Sequence, residues 1–197
     1  MMYFRDKKKY HIYISILSIM LVLSIVKFII GYPVYLLYIF SLLASVIILK
    51  CENGRINNVQ QKPVSNWSRI IILIILSAAL IVRYFLQIRI NRNFNIHTDE
   101  SVLIKLRWFI VFLICGFFEE LLIKLVLYER IIQSRLPKVL SIVICCIYFT
   151  LLHKTETYYG YIGIFLYQLI TLLMYDKYPN IYVYSVYHCL RNFIFYI

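Results

Sequence analysis

Seven apolar runs, each long enough for a buried or membrane-crossing helix, are divided by connectors rich in Lys, Arg and Asn. The runs lie at 11–30, 34–49, 70–86, 108–127, 139–153, 160–175 and from 180 to the C-terminus. A water-soluble core does not accommodate so many: the chain is 62% hydrophobic, against roughly 45–50% in soluble domains. Backbone facing lipid has no water to bond, so each run must satisfy its amides internally, as a helix. The expected fold is therefore all-α, a polytopic transmembrane bundle of seven spans forming one membrane domain over 1–197. Within it, 1–107 supplies N-terminal helices and loops, and 108–197 supplies the core helices that carry polar side chains.

The net charge of +12 does not imply nucleic acid. The basic residues cluster between apolar runs, at Arg5–Lys9, Lys50–Arg69, Arg83–Arg107 and Lys124–Lys138, where loops meet lipid headgroups. The nineteen tyrosines often sit near run ends, another interfacial habit. The expected partners are thus the bilayer and a substrate within it, with the chain a multi-pass protein of the cell membrane. The basic start resembles a signal peptide, but the run after it is long enough to span and no A-x-A site follows. It reads as an uncleaved first helix with a cytoplasmic N-terminus. The polar stretch 89–107 is expected to lie along the interface as a short helix. Cys51, Cys115, Cys145, Cys146 and Cys189 contain no CxxC and read as small core residues rather than a disulfide frame. His11 and His97 lie at run edges and read as surface residues, and Glu129 and Arg130 need no special role.

Within the fourth run stands FFEELLIK, residues 117–124, with two adjacent carboxylates in apolar surroundings. A charge near the bilayer centre costs roughly 2.5–3.5 kcal/mol, so such residues usually have a task. Glu120 and Lys124 are four apart, in the favoured order for a helical ion pair. Glu119 lies about 100° around the helix and has no partner in its own turn. His153 ends the fifth run one turn after Phe149, and the seventh carries His188 and Asn192 four apart, with Arg191 between them. A carboxylate and an imidazole facing each other can strip a proton from water, and His188 with the Asn192 amide could donate hydrogen bonds to an oxygen gaining charge. This inventory suffices for peptide hydrolysis. Packing histidines, a purely structural Glu120–Lys124 pair, or a proton or cation path are the other readings the same residues allow.

In this order the motifs resemble the CPBP (Abi) family of intramembrane endopeptidases, which includes CAAX prenyl proteases and bacteriocin-processing and immunity proteins. The family pattern, EExxxR then FxxxH then HxxxN or HxxxD on successive core helices, is met by EELLIK at 119–124, FTLLH at 149–153 and HCLRN at 188–192. The resemblance covers about 108–197. It implies that Glu119 activates water with the help of His153, that His188 and Asn192 form the oxyanion site, and that Glu120 pairs with residue 124. It also allows a zinc ion on Glu119, His153 and His188. Two departures stand out. Lys124 replaces the usual Arg and loses its bidentate fork, for which Arg191 could compensate, and the chain ends five residues after Asn192.

The resemblance implies a hydrolase acting on a peptide or membrane-bound protein. The Ile-, Lys- and Tyr-rich composition suggests a low-GC bacterium, where peptide maturation or bacteriocin self-immunity fits better than prenyl-protein processing. A non-catalytic immunity protein of the same fold and a proton- or cation-coupled transporter are the rival expectations. The first three runs offer only Lys27 and scattered Ser for a transport path.

Overall fold

A computed structural model describes residues 7–30, 35–52, 66–94, 101–133, 135–153, 155 and 157–196. Residues 1–6, most of the 50–69 connector and His97 lie outside them. Each apolar run has become a helix: α1 Lys7–Ile30, α2 Tyr35–Cys51, α3 Asn66–Phe94, α4 Val102–Glu120, α5 Lys138–Leu151, α6 Tyr158–Lys177 and α7 Ile181–Tyr196. No strand occurs among the described residues. Helix α4 does not stop at Glu120 but widens into a π-helical segment, Leu121–Ile132.

One expectation needs correction. The polar stretch 89–107 is not a helix of its own among the described residues. Its first part, to Phe94, continues α3, and its last part opens α4 after Ser101. Ser101 caps that start, its hydroxyl accepting the Ile104 N–H at 3.4 Å. Among the described residues, Lys7–Val26 and Tyr158–Lys177 are each long and apolar enough to cross a membrane, and further apolar helical stretches lie at Ile39–Cys51, Asn66–Val82 and Lys138–Leu151. The fourteen residues of α5 rise about 21 Å, less than the roughly 30 Å of hydrocarbon.

Helix α4 and its π segment form the axis of the bundle. Helix α7 lies along α4, α3 backs α7, α2 covers α4, α1 leans on α2 and the π segment, and α5 pairs with α6. Leu121 to Tyr128 are buried in succession, so this segment is enclosed on every side, as its nearly all-apolar sequence requires. Close approach of α4 and α7 depends on Gly116, where a Cβ would meet the Cys189 backbone nitrogen at 3.4 Å and the His188 side chain at 3.5 Å. No disulfide joins any of the five cysteines, and Cys145, Cys146 and Cys189 are buried.

Polar ties join helices far apart in sequence. Arg130 donates to both oxygens of Glu52, at 3.2 and 2.6 Å, and Tyr13 donates to the same carboxylate. Tyr175 donates to Glu129 at 2.7 Å, and Tyr128 donates to Asp176, which also receives Lys138. Glu129 and Arg130, given no role from sequence, therefore fasten the π segment to α6 and α2. The outward faces carry exposed Ile71, Ile74, Val82, Val139, Leu151 and Leu166. Apolar exposure spread over several helices is what a lipid-covered surface presents.

One fold prediction follows from the turn before α6. Thr157 caps that helix by accepting the Gly160 N–H at 3.1 Å, and Thr155 donates to the Thr157 carbonyl. A Cβ on Gly160 would come within 2.7 Å of the Thr155 Cβ and hydroxyl, a stiff neighbour. Gly160→Ala should lower stability by about 1–3 kcal/mol, read as a drop in the thermal unfolding midpoint in detergent. An unchanged midpoint would show that Thr155 yields freely.

Candidate active site

The α-to-π transition falls where the paired carboxylates stand. Glu120 closes α4 and is 1% exposed, whereas its neighbour Glu119 is 18% exposed. Their partners differ accordingly. Glu120 forms an ion pair through Oε2 with Lys124, which is itself completely buried. Lys124 also donates to the Thr171 hydroxyl at 3.2 Å and lies 5.2 Å from the Tyr184 ring centre. Thus a single ammonium, without the planar fork of arginine, is held by a carboxylate, a hydroxyl and an aromatic face.

His188 comes from α7 and His153 from the residue pair beyond the end of α5. The His188 Nδ1 lies 3.0 Å from Glu120 Oε1, and its Nε2 lies 3.5 Å from Glu119 Oε2. The His153 Nδ1 lies 2.8 Å from the Phe149 carbonyl, and its Nε2 lies 3.4 Å from the same Glu119 oxygen. Neither a carbonyl nor a Lys-paired carboxylate donates, so both Nδ1 atoms carry the proton. In the neutral rings both Nε2 lone pairs then face Glu119. Glu119 Oε2 is buried and accepts no hydrogen bond. Phe149 supports both imidazoles, with ring centres 4.4 Å from His153 and 5.9 Å from His188. The structure thus gathers Glu119, Glu120, Lys124, Phe149, His153 and His188 into one cluster.

Asn192 stands one turn beyond His188 on α7, half-buried, and makes no hydrogen bond among the described residues. Arg191 does not reach Glu120. Its guanidinium lies 4.1 Å above the Tyr167 ring. Any compensation for the missing arginine at 124 is therefore indirect, because Tyr167 donates to Glu120 Oε1 at 3.4 Å. Helix α6 carries no part of the three motifs, yet it supplies Tyr167 and Thr171 to the site. Its polar Thr and Gln in an otherwise apolar run were the available signal. Tyr167 also packs 5.4 Å from the His188 ring and stacks on Tyr187.

Zinc requires three protein ligands around an open position. The donor types at Glu119, His153 and His188 are suitable, but among the described residues no three His, Cys, Asp or Glu side chains are grouped to hold a metal ion. Glu119 Oε2 lies 3.4 and 3.5 Å from the two Nε2 atoms, and no step below passes through a metal. Two apolar cavities lie elsewhere, one of about 370 Å³ between α3 and α7 and one of about 670 Å³ between α1 and α2. None of Glu119, Glu120, His153 and His188 lines either.

Residues 101–194 match the model of a protein family described as type II CAAX prenyl endopeptidase, Rce1-like. The resemblance to CPBP endopeptidases is thereby borne out over that part of the chain, which contains all three motifs. No curated protein and no solved structure matches the chain.

Proposed function

Taking the endopeptidase family match over residues 101–194 as premise, we propose that this protein is an intramembrane endopeptidase whose water is activated by Glu119 with His153 and His188. The observation that carries this reading is the bare Glu119 Oε2, flanked at 3.4 and 3.5 Å by two imidazole nitrogens. A water at that point donates its two hydrogens to Glu119 Oε2 and His153 Nε2 and keeps an oxygen lone pair directed away from them. That lone pair attacks the scissile carbonyl carbon while Glu119 takes the proton. The tetrahedral oxygen gains charge, and the proton passes to the departing amine as the C–N bond breaks.

His188 is held by Glu120, so it enters the reaction through Nε2. With a proton taken up from solvent at Nε2 before the attack, it is a donor and joins the Asn192 amide in stabilising the oxyanion, an effect of about 2.7–4 kcal/mol per donor in well-studied hydrolases. Glu120 and Lys124 keep the ring from turning. Glu119 and His153 are 18% and 29% exposed, whereas Glu120 and His188 are each 1% exposed. Substrate therefore reaches the Glu119–His153 side.

The surrounding helices form a multi-pass bundle in the cell membrane, with the shorter ones crossing a locally thinned bilayer. The substrate is a peptide or membrane-bound protein, with maturation of a secreted peptide or bacteriocin self-immunity as its setting. The test compares protein and peptide termini in cells making wild type or Glu119→Gln at equal membrane abundance. New termini confined to wild type support hydrolysis and reveal the substrate. Identical termini with a preserved phenotype would replace this reading with a non-catalytic immunity role.

A further inference from the structure

Arg191 has no task in the hydrolysis just described. It lies on α7, three residues after His188, and is half-buried. Its described contact is the face of Tyr167, 4.1 Å from the guanidinium carbon. An aromatic face attracts the charge but accepts none of the five N–H groups. Among the described residues no carboxylate stands within ion-pair distance of it. Of the nearby acids, Glu120 is engaged by Lys124 and His188, and Glu119 faces the two imidazoles at 3.4 and 3.5 Å. An arginine set among apolar helices without an anion is costly, so its usual meaning is a charge partner that arrives.

Distance narrows what that partner is. Tyr167 separates the guanidinium from His188, lying 4.1 Å from one and 5.4 Å from the other. Arg191 is therefore within roughly 10 Å of the His188 ring, the reach of about three residues of extended chain. We infer that Arg191 is a specificity residue that binds a substrate carboxylate two or three positions from the scissile bond. This rests on the protease reading above. The carboxylate belongs to a free C-terminus or to an Asp or Glu side chain. Its planar fork receives either bidentately, and stacking on Tyr167 holds that plane beside the reacting centre.

The test uses the Glu119→Gln chain, which holds peptide without cutting it, in nanodiscs of phosphatidylcholine so that no anionic lipid competes. Short fluorescent apolar peptides are offered as two matched pairs: C-terminal acid against C-terminal amide, and an internal Glu against Gln. The acid member of one pair should bind about tenfold or more tighter than its neutral twin, and the pair that discriminates names the source. Adding Arg191→Gln should bring that ratio to about one, while Arg191→Lys keeps part of it and covers the case in which Arg191→Gln fails to fold. Equal binding within both pairs, no binding, or a preference that survives Arg191→Gln overturns the inference. Cleavage of the same peptides by the wild-type chain reads the protease proposal separately, so failure of one does not imitate failure of the other.

Discussion

Glu119→Gln should cut peptide hydrolysis by the purified protein by about 10²–10⁴-fold, the usual contribution of a positioned general base, and leave its folding intact. Glutamine keeps the size of the side chain and loses only the acceptor charge that takes the proton from water. The two imidazoles remain, but their lone pairs then face an amide that cannot carry that proton away. Stability should hold or rise. The wild-type chain keeps a carboxylate oxygen buried without a hydrogen bond beside a second carboxylate, and replacing such an active-site group often relieves strain. Initial rates on a cleaved peptide, together with a thermal unfolding curve, measure both halves. Retained rates would remove Glu119 from the chemistry, whereas lost rates with a lowered midpoint would make it a structural residue.

Lys124→Met should have the opposite signature, a loss of folding stability of about 3–5 kcal/mol out of the roughly 5–15 kcal/mol that folded domains possess. Lys124 is fully buried and is the cation that balances Glu120, itself 1% exposed. Methionine fills the volume but leaves the carboxylate with only the His188 Nδ1 and Tyr167 hydroxyl as donors. The double change Glu120→Gln with Lys124→Met should recover most of the loss, since a buried ion pair contributes little beyond its own desolvation. Activity should not recover with it, because His188 loses the charged acceptor that sets its tautomer. Unfolding midpoints of the two single variants and the double variant decide this. A Lys124→Met chain as stable as wild type would show that the pair carries no structural role.

These two results test different kinds of legibility. The helical period alone predicts that Glu120 meets Lys124 and leaves Glu119 free, because residues four apart share a face regardless of what surrounds the helix. The same logic joins Phe149 to His153. It does not reach Thr171, 47 residues from Lys124, or Glu52, 78 residues from Arg130. Those partners meet only when α6 and α2 close on the π segment. The π segment itself was not foreseen, since its sequence carries the same apolar pattern as an ordinary helix.

By itself the sequence determined an all-helical chain, the number of helices and the order of its reactive residues along them. Apolar runs must bond their own amides, and their period is a local property. Tertiary structure alone decided that Glu119 faces two imidazoles and that Glu120 takes His188 by Nδ1. It also decided that Arg191 lies on Tyr167 instead of replacing the missing arginine. Contacts between helices depend on crossing positions and on close approach at Gly116, and no spacing within one helix encodes where another will lie.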